Sequence, residues 1–123
     1  TMKNQAYRMA MLYDFYGDLL TDRQKEFYDL YYNEDLSLAE IAENYDISRQ
    51  GVRDVIVRAE AAMTEIEDKT HLIRRFHEMH KQLAQIKQAV EQLQTINNND
   101  YQDRDMEVLL QQISDLVEKL YEE

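Results

Sequence analysis

The chain has no cysteine, no proline and only two glycines, Gly17 and Gly51. Without cysteine there are no disulfides, no thiolate nucleophiles and no cysteine-ligated metals. A sheet protein needs turn chemistry about every ten residues, and so little glycine and proline cannot supply it. Long helices with few breaks are the natural reading, so the fold class expected is all-α. No apolar run approaches the length that spans a bilayer, and no signal-peptide pattern opens the sequence. The expectation is a cytoplasmic protein with no membrane insertion. Basic residues are also short. There are 14 of them against 25 acidic ones, for a net charge of −11. Residues 1–70 carry −7 and residues 71–123 carry −4, so neither half is basic. Affinity for nucleic acid comes largely from neutralised phosphates, so tight, general nucleic-acid binding is disfavoured. Local basic patches remain open.

What is present is amphipathic periodicity. Hydrophobic residues make up 44% of the 123, enough for a core. One domain, or a small domain with a helical extension, fits that length. Residues 4–16 place Tyr7, Met11, Leu12, Phe15 and Tyr16 at helical spacing. Gly17 is positioned to end that helix in a left-handed conformation. Thr21 with Gln24, and Ser37 with Glu40, form capping-box pairs that open the next two helices. Ser48 caps a helix beginning at Arg49. If unbroken to Ile96 it would run about 70 Å, with a kink expected near Asp68–Thr70. From Leu72 the apolar residues Phe76, Met79, Leu83, Ile86, Val90 and Leu93 alternate steps of four and three, a heptad seam. Asn97 to Asp100 is a turn signal. A last helix repeats Met106, Leu109, Ile113, Leu116 and Leu120 at the same spacing. These two helices read as a hairpin with a thin core, expected to pair with a second copy as a four-helix homodimer.

The segment from Leu38 to Val57 is LAEIAENYDISRQGVRDVIV. A helix-turn-helix needs apolar residues where its helices cross, a small residue where they touch, and a turn residue that accepts positive φ. Ile41, Tyr45, Ile47, Val52 and Val55 fall at the buried places, Ala42 at the contact and Asp46 at the turn. The wider stretch from Leu19 to Glu60 resembles region 4 of bacterial sigma factors, where a helix led by Leu-Thr precedes the motif. A broader resemblance rests on MLYDFYGDLLTDRQ, LYYNEDLSLAEIAE and ISRQGVRD. It covers most of the first 75 residues and is similar to the YlxM family of small Firmicute-type proteins. That family is described as associated with the signal recognition particle, because its genes lie beside those of the particle's protein components. The resemblance implies a sigma-region-4-like fold, DNA binding, and a link to particle components. Gly51 departs from the family's more usual alanine, at about 1 kcal/mol of helix stability.

In a helix-turn-helix that reads DNA, exposed residues early in the second helix reach bases or phosphates. Here these are Ser48, Arg49, Gln50, Arg53 and Asp54, with Arg58 a turn further on. Arginine suits guanine and glutamine suits adenine, while Ser48 at a helix N-terminus suits phosphate. Against this, Asp46 to Glu60 holds three arginines and three acids, which also describes a solvated helix face. Seven tyrosines in the first 45 residues fit core packing better than base stacking. His77 and His80 share a helix face but lack the ligands of a zinc site, so no metal is expected. Nothing marks a phosphate loop, a nucleophile elbow or a paired catalytic carboxylate, so no cofactor and no enzyme are expected. The organisation expected is a helix-turn-helix domain over 1–66 and an acidic extension over 67–123. Two readings follow: a regulatory or accessory protein that binds DNA or structured RNA, or a protein-interaction module that does not bind DNA and engages a basic protein or ribonucleoprotein partner.

Overall fold

Capping decides where the first helices begin. The computed structural model describes residues 6–122, and these form six α-helices. They are α1 (Ala6–Tyr16), α2 (Asp22–Tyr32), α3 (Leu38–Tyr45), α4 (Arg49–Thr70), α5 (Leu72–Ile96) and α6 (Arg104–Glu122). Asn4 and Gln5, expected in the first helix, lie outside the described residues. Both capping boxes form. Thr21 accepts from the Gln24 amide at 3.2 Å, and the Thr21 amide donates to Gln24 Oε1 at 3.0 Å. Ser37 and Glu40 exchange the same pair of bonds at 3.1 Å each. Each box satisfies two amides that the helix itself leaves unpaired.

The chain divides into two compact units, Thr1–Ile73 and Arg74–Glu123. In the first, Phe27, Ile41, Val52, Ile56, Ala59 and Met63 are fully excluded from solvent. Met9, Leu12 and Tyr16 close the core from α1. The inward face of α1 is therefore Met9–Leu12–Tyr16, and Tyr7, expected on it, is 80% exposed. The other tyrosines mostly pack. Tyr13 stacks on Tyr28 with ring centroids 5.0 Å apart, and the Tyr28 hydroxyl donates to the Met9 carbonyl at 2.5 Å. Gly17 ends α1 without a left-handed conformation, contrary to expectation. Its reason is space: a β-carbon there would stand 3.1 Å from the stacked ring of Tyr13.

Burial holds the Tyr28 and Tyr32 hydroxyls protonated well above the ordinary tyrosine value, and for Tyr32 donation to Glu60 adds to it. A raised folded value favours the neutral form in the native state. Stability from these groups is therefore complete below about pH 10 and is lost as pH rises through the raised values. In an alkaline titration, tyrosinate absorbance from these groups should appear only together with loss of the far-UV circular dichroism signal. Full ionisation near pH 10 with the helices intact would contradict this.

Residues 67–73, which the sequence pattern places with the extension, are tied into the first unit. Glu67 accepts the Tyr16 hydroxyl at 2.5 Å and the Ile73 amide at 2.9 Å. His71 takes a left-handed conformation, φ 54°, ψ 27°, and donates its amide to the Glu67 carbonyl at 2.7 Å. The helix from Arg49 is therefore interrupted, one residue beyond the expected kink.

In the second unit Asn97 builds the turn. Its side chain donates to the Asp103 carbonyl at 2.9 Å and accepts the Asp103 amide at 3.0 Å. Asp103 then caps α6 by accepting the Met106 amide at 3.1 Å. α5 and α6 run antiparallel, as His80 against Tyr121 and Lys87 against Glu118 (2.7 Å) require. On α5 the inner seam keeps Leu83 and Val90 of the expected heptad line but not Met79, Ile86 and Leu93, and on α6 it differs from the expected line. Leu83, Val90 and Val117 are buried, with Leu110, Ser114 and Tyr121 on the same side of α6. The apolar repeat at Met106, Leu109, Ile113, Leu116 and Leu120 is 42–61% exposed. Met79, Ile86 and Leu93 on α5 are 44–50% exposed. Among the described residues, no helix is long and apolar enough to cross a membrane.

Candidate nucleic-acid interface

The turn between α3 and α4 is built as the motif requires. Asp46 adopts φ 54°, ψ 46°, a conformation that Asp and Asn tolerate better than bulkier residues. Its amide and that of Ile47 return to the Ala42 carbonyl, the latter at 3.1 Å. Ile41 and Val52 are fully buried where the helices cross, and Ala42 is buried between them. Tyr45, Ile47 and Val55 pack at the edge of the same core. Tyr45 also meets Phe27 edge to face at 4.9 Å, and its hydroxyl donates to Glu26, a bond that raises the hydroxyl's pKa. α2 thus fixes the far end of α3, and α3 fixes the start of α4.

Ser48 ends this turn and caps α4, its hydroxyl accepting the Gly51 amide at 2.9 Å. A β-carbon at Gly51 would stand 3.2 Å from that hydroxyl oxygen. Small movement of an exposed serine relieves such a contact, so helix propensity should dominate. Gly51→Ala is expected to stabilise the first unit by up to about 1 kcal/mol, raising its melting temperature by about 4–8 °C. A fall in thermal stability would mean that the cap cannot adjust.

All six candidate residues, Ser48, Arg49, Gln50, Arg53, Asp54 and Arg58, are exposed. They do not form one group. At about 100° per residue, Arg49 and Arg53 lie about 40° apart on one flank of α4. Gln50 and Asp54 pair with each other, the amide donating to the carboxylate at 2.9 Å. Arg58 lies about 140° from Arg53, on the other flank. The third acid of this stretch, Glu60, accepts the Tyr32 hydroxyl. The local charge sum of zero thus conceals a small cationic corner, Arg49 with Arg53, beside the Ser48 cap. Among the described residues neither arginine makes a salt bridge.

Arg23 is a cation that the linear motif does not point to. Its guanidinium sits 5.2 Å from the Phe27 ring centre, and its field reaches Tyr45 at the end of α3. It stands 26 residues before Arg49, and only packing of α2 on α3 brings it towards the turn. Elsewhere, the His80 ring packs between Phe76 (4.1 Å) and Tyr121 (4.6 Å). Among the described residues, no three His, Asp or Glu side chains are grouped to hold a metal.

Residues 3–105 match the family described as "UPF0122: Putative helix-turn-helix protein, YlxM / p13 like". The chain belongs to this family. It is 40% identical over 119 residues to a UPF0122 protein of Bacillus thuringiensis (strain Al Hakam), covering 97% of this chain and 99% of that one. It is 42% identical over 114 residues to a UPF0122 protein of Thermoanaerobacter sp. (strain X514), covering 91% and 92%. The match extends beyond the first 75 residues that carry the resemblance in the sequence, and it takes in all of α5 and the hairpin turn.

Proposed function

We propose that this protein is a DNA-binding regulatory or accessory protein of the cytoplasm, and that it reads nucleic acid with the start of α4. The observation that carries this reading is the exposed pair Arg49 and Arg53 on one flank of a capped helix. That helix is held rigidly by a helix-turn-helix core. Ser48, Gln50 and Asp54 complete the reading turn, and Arg58 serves as a phosphate contact from the other flank. The fold in this reading is of the sigma-region-4 kind. It acts as a homodimer through the extension, so that two reading helices meet two half-sites. The resemblance to the YlxM family implies a link to the signal recognition particle pathway, with structured RNA as the other target class.

The test is fluorescence anisotropy of labelled duplex DNA, and of a structured RNA, at two salt concentrations. Binding that weakens steeply with salt is expected, because each phosphate contact releases condensed counterions. No binding at low salt would overturn the reading. The chain would then be a protein-interaction module. One observation favours that second reading: α6 carries Asp105, Glu107, Asp115, Glu118 and Glu122 against Arg104 and Lys119, a surface suited to a basic partner.

A further inference from the structure

The α5–α6 hairpin has two apolar sides and uses one. Its inner seam is closed by Leu83, Val90 and Val117. Lys87 and Glu118 pair across one rim of that seam at 2.7 Å. The exposed stripes lie one heptad step to the other side. Ile86 is three residues beyond Leu83 where Lys87 is four, and Leu120 is three beyond Val117 where Glu118 is one. In an antiparallel pair this places both stripes on the same side, opposite the salt bridge. The hairpin thus presents a single apolar face, with three large side chains from α5 and five from α6.

We infer that this face is closed by the same face of a second copy, forming a four-helix bundle. The inference deepens the homodimer reading above by naming its surface, and it does not depend on nucleic-acid binding. Three observations select a second copy. The first is area. Eight side chains near half exposure, at about 100 Å² each, offer on the order of 800 Å², the amount each partner contributes to a standard stable interface. A monomer seldom leaves so large a patch in water. The second is charge. The rim beside the two stripes holds Gln82, Ala89 and Gln112, with Arg75, Glu78, Asp105 and Lys119 towards its ends, two of each sign. Two copies can therefore meet without setting a block of like charge face to face, although residues 74–123 carry 6 basic and 10 acidic side chains. The third is register. Both stripes keep heptad spacing along most of their helices, and helix packing across a two-fold axis needs that on both partners.

Sedimentation equilibrium of the full chain, without nucleic acid and at micromolar concentration, tests this. The wild type is expected at twice 14.8 kDa. Ile86→Glu with Leu109→Glu should raise the dimer dissociation constant by at least about a hundredfold. Helical circular dichroism should stay intact, because neither side chain fills the inner seam. If that variant lost helix, the neutral pair Leu109→Gln with Leu116→Gln would be measured instead, with the same shift towards monomer expected. A wild-type monomer would overturn both the surface and the homodimer reading. A folded variant that stayed dimeric would overturn the surface alone.

Discussion

Phe27→Ala is expected to cost the first unit about 3–5 kcal/mol, the range for emptying a buried aromatic site. Phe27 is fully buried, and it also carries contacts that a smaller side chain cannot replace. The Tyr45 ring rests on it edge to face, and Arg23 lies over it. Domains are stable by only about 5–15 kcal/mol, so much of the total is at stake. The melting temperature should fall by about 15–30 °C. The damage should also reach the interface, because Phe27 holds Tyr45 and Tyr45 ends α3 just before the turn. Chemical denaturation of the full chain, followed by tyrosine fluorescence, measures the loss. Tyr7→Ala serves as the comparison. Tyr7 is 80% exposed, and its replacement should change stability by no more than about 0.5 kcal/mol. A loss below about 1 kcal/mol for Phe27→Ala would mean that the core around Phe27 does not hold the motif in place.

Arg49→Ala with Arg53→Ala should abolish most nucleic-acid affinity, by about a hundredfold or more, while leaving stability unchanged. Each arginine that reads a base is worth about 1–3 kcal/mol, and each that meets a phosphate adds to the salt slope. Both side chains are exposed and contribute nothing to the core, so the variant should melt with the wild type. Its plot of affinity against salt should also be shallower. Arg58→Ala alone should do less, since Arg58 lies on the other flank of α4. Equal losses from Arg58→Ala and from the pair would point to diffuse attraction rather than a reading face.

The helix-turn-helix is legible because each of its devices is local. Thr21, Ser37 and Ser48 bond to amides three residues away, and Asp46 needs only a backbone conformation it tolerates. The interruption shows in the sequence as a break in the apolar face at Asp68–Thr70, but its place at His71 and the tie that makes it are not legible. No glycine or proline marks it, and the carboxylate of Glu67 that ties it down also binds Tyr16, 51 residues away. The inner seam of the hairpin is hidden for another reason. α5 carries two adjacent apolar lines, and periodicity does not say which one faces α6. On α6 the line that turns inward contains Ser114, while the one left exposed is wholly apolar. A pattern read for one partner can thus belong to another. At the candidate interface, proximity in sequence groups Arg58 with Arg49 and Arg53, but helical rotation separates them. Arg23 comes within electrostatic reach of Tyr45, beside the turn, only through tertiary packing.

In the proposed function, the start of α4 is the surface that touches nucleic acid. Its most direct test is a titration of the isotope-labelled full chain with duplex DNA, followed by backbone amide resonances in the NMR spectrum. Salt-sensitive shifts concentrated at Ser48 to Asp54, with little change along α6, are expected. Shifts confined to the α5–α6 hairpin, or none at low salt, would contradict it.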